Sequence, residues 1–315
     1  MTDAAPRLVA FIAAELAAPP APAVQAFAAE LAARGGAGTV AVLFYGSALR
    51  TGATDGLLDF YVLLDDLAAW DAGRLARAGN RALPPNVEYA ETTNADGTTL
   101  RAKIAIMSLA QFRKHARAGS YDTTIWARFA QPVALAWSRD AAATEAAAEA
   151  VSLAARGAAW WAAHLGPVEA QPVTFWSALF TRTYASELRV ESAARPGSIV
   201  DSAPERYAAL LPLAWEAEGL AFDRTRDGGL TPRITEAARS NAKRAWRRRK
   251  RLAKPLNLAR LAKAAFTFSG GVDYIAWKIE RHSGQQVVVT PFQRRHPLLA
   301  AGPALWRLWR RGVLR

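Results

Sequence analysis

Val40-Ala41-Val42-Leu43-Phe44-Tyr45-Gly46-Ser47 and Leu57-Leu58-Asp59-Phe60-Tyr61-Val62-Leu63-Leu64 are the two stretches that decide the fold. The first is an apolar run that ends in a Gly-Ser bend. The second is an apolar run that opens on a single carboxylate. Both read as buried strands. Leu57, Leu58, Phe60 and Val62 flank Asp59, so its charge should be largely buried, which is costly without a partner. A metal ion would be such a partner. The same residues also fit a plain strand–turn–strand in which Asp59 is a hydrogen-bonded structural side chain.

The two strands resemble the core of the polymerase-β-type nucleotidyltransferases. In that setting each residue has a physical task. Gly46 lets the backbone approach a triphosphate closely. Ser47 and neighbouring N–H groups bond its oxygens, beside Tyr45. Asp59 holds Mg²⁺ against the phosphates.

The rest of the chain bounds the reading. With 315 residues it can bury a large core, and two domains plus an appendage are expected. There are no cysteines, which excludes disulfides and thiolate metal sites. His115, His164, His282 and His296 are scattered, against a zinc site. The N-terminus lacks a basic region followed by an apolar core, so no signal peptide is read. No stretch reaches the roughly 18 apolar residues of a spanning helix. The net charge of +13 is unevenly placed. Residues 239–315 carry 19 Lys/Arg against only Asp273 and Glu280, which leaves −4 on the first 238 residues. A basic end on a near-neutral body points to a polyanionic partner.

Along the chain, residues 7–34 read as two Ala-rich helices broken by Pro19-Pro20-Ala21-Pro22 and closed by Gly35-Gly36. Residues 67–78 look helical. Asn86–Glu91 and Thr98–Ser108 form a hairpin around Asn94-Ala95-Asp96-Gly97. A helix follows at 109–117, and a short strand at 132–137. Mixed strands and helices to about residue 140 make an α/β domain with a mixed sheet. Residues 141–255 read as an all-helical domain with helices near 141–165, 173–193, 205–219 and 232–253; a winged-helix-like arrangement is one option for it. Trp160, Trp161, Trp176 and Trp215 are its expected core. Asp65, about 20 Å along the strand from Asp59, is expected to cap the helix that follows rather than to bind metal.

Residues 256–315 form a basic segment. On a helical wheel of residues 305–315, Trp306 and Trp309 share one arc with Leu305, Leu308 and Val313, while Arg307, Arg310 and Arg311 share the other with Arg315. That is the pattern of an amphipathic helix lying in an anionic membrane interface. The run of eleven basic residues between Arg239 and Lys263, without an acid among them, is also expected to face an anion.

Taken together, these residues are similar to the mitochondrial-type CTP:phosphatidate cytidylyltransferases, the translocator assembly and maintenance family. The resemblance runs through Phe44–Ser47, Leu58–Trp70, Gly97–Ser108, Trp126–Val133, Leu179–Val190 and Ala265–Gly271, in order and over most of the chain. It departs at Ala48, where the family has a second glycine, and at Ser186-Glu187, where it has Gly-Asp. The resemblance implies a Mg²⁺-dependent enzyme that joins CTP to phosphatidic acid at a membrane surface. Asp59 and Lys103 would be catalytic, with Tyr184, Glu187 and Arg189 forming a second wall around the lipid phosphate and Glu187 assisting Asp59 with the metal. The protein would work in the cytoplasm, bound peripherally to the inner face of the cytoplasmic membrane. Nucleotide transfer to another lipid phosphate or to RNA, and a non-catalytic membrane scaffold, are the alternatives. Nucleic acid is disfavoured because Trp246 is the lone aromatic residue among the basic ones.

Overall fold

The computed structural model describes residues 3–94, 96–186, 199–267 and 289–290. Two helices, α1 (Ala4–Leu16) and α2 (Pro22–Gly35), precede β1 (Thr39–Tyr45). Pro22 opens α2, where its missing N–H costs nothing, and Gly36 ends it at φ +53°. A short helix α3 (Ser47–Thr51) leads into β2 (Leu57–Leu64). Helix α4 (Arg74–Ala82) is followed by the hairpin β3 (Asn86–Thr93) and β4 (Thr99–Ser108). Helices α5 (Leu109–Ala116) and α6 (Thr124–Phe129) lie between β4 and β5 (Val133–Ser138).

The five strands form a mixed sheet in the order β3-β4-β2-β1-β5, in which only β2 and β4 run parallel. The 2.0-residue period of a strand sorts the side chains cleanly. Val42, Phe44, Leu58, Phe60, Val62, Leu64, Ile104 and Ile106 pack against Val24, Phe27 and Leu31 of α2. The odd-numbered Leu43, Tyr61, Leu63, Ala105 and Met107 face the other way, into a larger cluster built from helices.

Those helices are α1, α5 and α6 together with α7 (Ala141–Leu165), α8 (Pro172–Ser186), α9 (Pro204–Ala217) and α10 (Glu236–Thr267). Asp140 caps α7 through the Ala143 N–H. The run of Ala147, Ala150, Ala154, Ala158 and Ala162 lets neighbouring helices approach α7 closely. Described residues on both sides of position 140 therefore share one apolar core. Trp161, Trp176 and Trp215 lie in it, and Trp160 packs partly buried against it.

Four expectations change. The 67–78 stretch is not one helix: Leu67–Ala69 is a 3-10 turn and α4 begins only at Arg74. Asp66, not Asp65, caps that turn through the Ala68 N–H, and Asp65 instead pairs with Arg139 at 2.5 Å. The second part of the chain is not all-helical, because β6 (Phe222–Arg224) and β7 (Leu230–Pro232) form a hairpin around Gly228 and Gly229. Finally, the last helix, expected near 232–253, is α10 and runs from Glu236 through Pro255 to Thr267.

Helix α10 is tied down by some of its own cations. Arg249 stacks 4.4 Å over Trp161 and donates to the carbonyls of Ala118 and Ser120. Arg260 pairs with the buried Asp122, and Lys263 donates to the carbonyls of Leu83 and Pro85. Burial alone would raise the Asp122 carboxyl, but the Arg260 charge and the Thr124 N–H outweigh it and hold the carboxyl below its usual value.

Arg260→Met strands that carboxylate, so a loss of about 3 kcal/mol is expected, read from urea midpoints. Asp122 has a depressed folded pKa, so its contribution is present above the unfolded value and lost as pH falls through the folded one. The difference between wild type and variant should therefore shrink as pH falls below about 4.

Candidate functional site

The sheet register builds the site. Asp59 opens β2, with Tyr45 opposite on β1 and Lys103 opposite on β4; Lys103 in turn opposes Tyr89 on β3. Neighbouring strands are about 4.8 Å apart, so the four side chains form a single row. Asp59 lies two residues before Tyr61 and points to the same, helix-covered face. Tyr45, Asp59 and Lys103 are half-buried, and Tyr89 is buried. Two residues further along each strand the row becomes Leu43, Tyr61 and Ala105 and disappears into the core.

Gly46 makes this end of the sheet possible. Its backbone sits at φ +94° and ψ −160°, a region in which essentially only glycine is stable. It also gives way to Asp59: a β-carbon on Gly46 would lie 2.9 Å from the Asp59 Oδ2. The carboxylate therefore rests directly on the Gly-Ser bend, and exposed Ser47 is the next residue. Tyr45 supplies a wall, its ring packing 5.4 Å from both Tyr61 and Phe129.

Asp59 fits the role of a Mg²⁺ ligand in one respect. Mg²⁺ bound against substrate phosphates needs only one or two carboxylates, since phosphate oxygens and water complete its shell. Among the described residues no cluster of three or more His, Cys, Asp or Glu side chains could hold a metal by itself.

On the same face as the row, the β3–β4 edge is firmly held. Tyr89 donates to Glu91, which also pairs with Arg101 at 3.2 Å. Burial, then the Glu91 hydrogen bond and charge, raise the Tyr89 hydroxyl, so it stays a donor. Deeper on that face, Arg128 of α6 reaches the Tyr61 hydroxyl at 3.4 Å.

Two further groups close on the Gly-Ser bend. Arg50, three residues after Ser47 and half-buried, donates to the Gln131 Oε1 at 3.5 Å and has no carboxylate partner among the described residues. Arg206 of α9 donates to the adjacent Ala130 carbonyl at 2.9 Å and is neutralised by two bonds to Glu15. Next to it, the buried Tyr207 hydroxyl has no hydrogen-bond partner among the described residues. Burial raises it strongly, and the Arg206 and Arg50 charges pull the other way. Tyr184, in the last turn of α8, packs half-buried against the helical core.

Asp59, Lys103, Tyr45, Gly46 and Ser47 are thus brought together, while Tyr184 lies on α8 in the helical core. Glu187 and Arg189, and the expected membrane residues Trp306, Arg307, Trp309, Arg310 and Arg311, lie outside the described residues. Arg50 was not anticipated. Its signal is its spacing from Ser47, since residues three apart share a helix face, and this is visible only once α3 is known to follow the bend.

No protein-family model matches the sequence, and no curated protein matches it either.

Gly46→Ala should cost about 1–3 kcal/mol from its backbone alone, more with the clash against Asp59. A thermal or urea melt measures this, and Gly36→Ala, whose β-carbon would meet nothing within 4 Å, is the control for backbone strain without a neighbour.

Proposed function

We propose that this chain is a Mg²⁺-dependent nucleotidyltransferase of polymerase-β-like fold that makes CDP-diacylglycerol and pyrophosphate from CTP and phosphatidic acid. It would act in the cytoplasm, bound peripherally to the inner face of the membrane. The observation that carries this reading is the row itself: one carboxylate on a Gly-Ser bend, with a lysine in the next strand where a sugar-hydroxyl nucleophile would need a second carboxylate.

That lysine fits a nucleophile that arrives without a proton to lose. A phosphomonoester has a second pKa of about 6, so it is largely dianionic at neutral pH. Lys103 would neutralise its oxygens and those of the α-phosphate. Gly46 and Ser47 would hold the triphosphate against Tyr45, and Arg50 would meet its charge from α3. Asp59, with Glu187, would hold Mg²⁺, which when bound draws charge from the phosphates. One phosphatidate oxygen then forms a bond to the α-phosphorus, in line with the bridging oxygen that leaves with pyrophosphate. Positioning and charge neutralisation supply the rate. Tyr184, Glu187 and Arg189 would form the lipid-phosphate wall.

Among the described residues no helix is long and apolar enough to cross a membrane, in keeping with surface attachment. Against the RNA alternative, Trp246, the aromatic residue within the described basic run, is only 8% exposed and packs on Trp126 and Trp161.

Incubation with α-labelled CTP, Mg²⁺ and phosphatidate in mixed micelles should give a labelled, organic-soluble product. Asp59→Ala and Lys103→Met should each lower kcat by at least about 10²-fold, with the fold retained by circular dichroism. The wild-type rate should climb as pH passes about 6 and then level off, because the second ionisation of the phosphomonoester is what arms it. A water-soluble labelled product, or full activity in Asp59→Ala, would refute the assignment.

A further inference from the structure

The described cations of α10 divide into two sets, and the division is set by helical spacing. Ala242, Trp246, Arg249 and Arg260 recur at three-to-four-residue multiples and turn inward, where Arg249 and Arg260 are consumed by Ala118, Ser120 and Asp122. Lys243, Arg244, Arg247, Arg248, Lys250 and Arg251 turn outward and are exposed. After Glu236 the helix contains no acid to neutralise them.

The outward face is not purely polar. Leu258 is 67% exposed, and Leu252 is 47% exposed. Arg244, Arg251 and Leu258 lie seven residues apart, two turns each, so on a regular helix the leucine stands in line with the arginines. Helix α4, which α10 contacts through the Leu83–Pro85 carbonyls beyond its end, repeats the composition: Arg74, Leu75 and Arg81 are exposed, Leu75 at 73%. It too has no acid.

We propose that the outward face of α10, with Arg244, Arg247, Arg251 and Leu258 at its centre, docks on an anionic lipid bilayer. Cations alone would fit any polyanion. Leucines projecting among them fit a surface with an apolar layer beneath its charges, where Lys and Arg meet headgroup phosphates and leucine enters the acyl boundary. A nucleic-acid groove offers those leucines nothing, and Trp246, the aromatic ring within the described basic run, is turned inward; the exposed aromatic ring described beside this helix is Tyr121, next to Arg249. The face is built from residues other than 305–315, rests on the proposed function, and deepens it by naming a described surface through which the enzyme would meet its lipid.

The test is flotation of the full chain with phosphatidylcholine vesicles, with and without phosphatidylglycerol, at fixed salt. Wild type should partition to the anionic vesicles and not to the neutral ones. Arg247→Glu/Arg251→Glu should weaken partitioning by at least about tenfold, and Leu258→Ser by about fivefold. Melting temperatures should be unchanged, because these side chains are exposed. Trp306→Ala/Trp309→Ala serves as the tail control and should leave the charge-reversal effect in place. The proposal is overturned if wild type floats equally with neutral vesicles or with none. It is also overturned if the double variant floats like wild type, or if a single-stranded RNA is bound with Leu258→Ser indistinguishable from wild type. Flotation involves no turnover, so a chain that docks through α10 and makes no CDP-diacylglycerol would remove the proposed reaction and leave the surface.

Discussion

A carboxylate resting on a backbone that has no side chain is the contact from which the rest of this site follows. Asp59 can lie where it does only because position 46 carries no β-carbon and adopts a conformation closed to other residues. That one close approach brings the Gly-Ser bend against the carboxylate. It fixes the bend relative to β2, and through β2 relative to Lys103 on β4. The consequence is chemical as well as steric: a negative charge, a positive charge and an open backbone bend share the end of one sheet.

The helices then decide which face of that row can be used. One face of the sheet is filled by α2, and the other carries Asp59 and Lys103 beneath a layer drawn from both halves of the chain. Arginine does much of the joining. Arg206 links α9 to Glu15 of α1 and to the Ala130 carbonyl, Arg249 bridges α10 to Ala118 and Ser120, and Arg260 pairs with Asp122. A planar, permanently charged group with five donors suits such half-buried junctions. The high arginine content therefore has two uses, internal joints and an outward cationic face, and charge counting alone cannot separate them.

The central elements were legible because each has a local cause. Apolar runs of strand length, a turn signal at Asn94 to Gly97, and helix breakers at Pro19 to Pro22 and Gly35-Gly36 all act within a few residues of themselves. The misreadings arose where distant parts compete. Residues 67–78 have helical composition, but Asp66 caps only a 3-10 turn and the helix restarts at Arg74. Asp65 was assigned to capping, yet Arg139, 74 residues away, claims it. The small hairpin at 222–232 is too short for any period to register, and Ala170 holds it by bonding Leu230.

From its sequence alone this chain determined that two buried strands would meet at a Gly-Ser bend, that a single acid would open the second, and that its cations would gather at one end. Those properties depend on residue type and spacing, which local sterics and the cost of burying charge translate directly into structure. Only the tertiary structure decided that Lys103 would stand opposite Asp59, that Arg50 would lie half-buried without a carboxylate partner among the described residues, and which arginines of α10 would turn inward. Register and burial arise from contacts between residues far apart in the chain, and such contacts form only when the whole core closes.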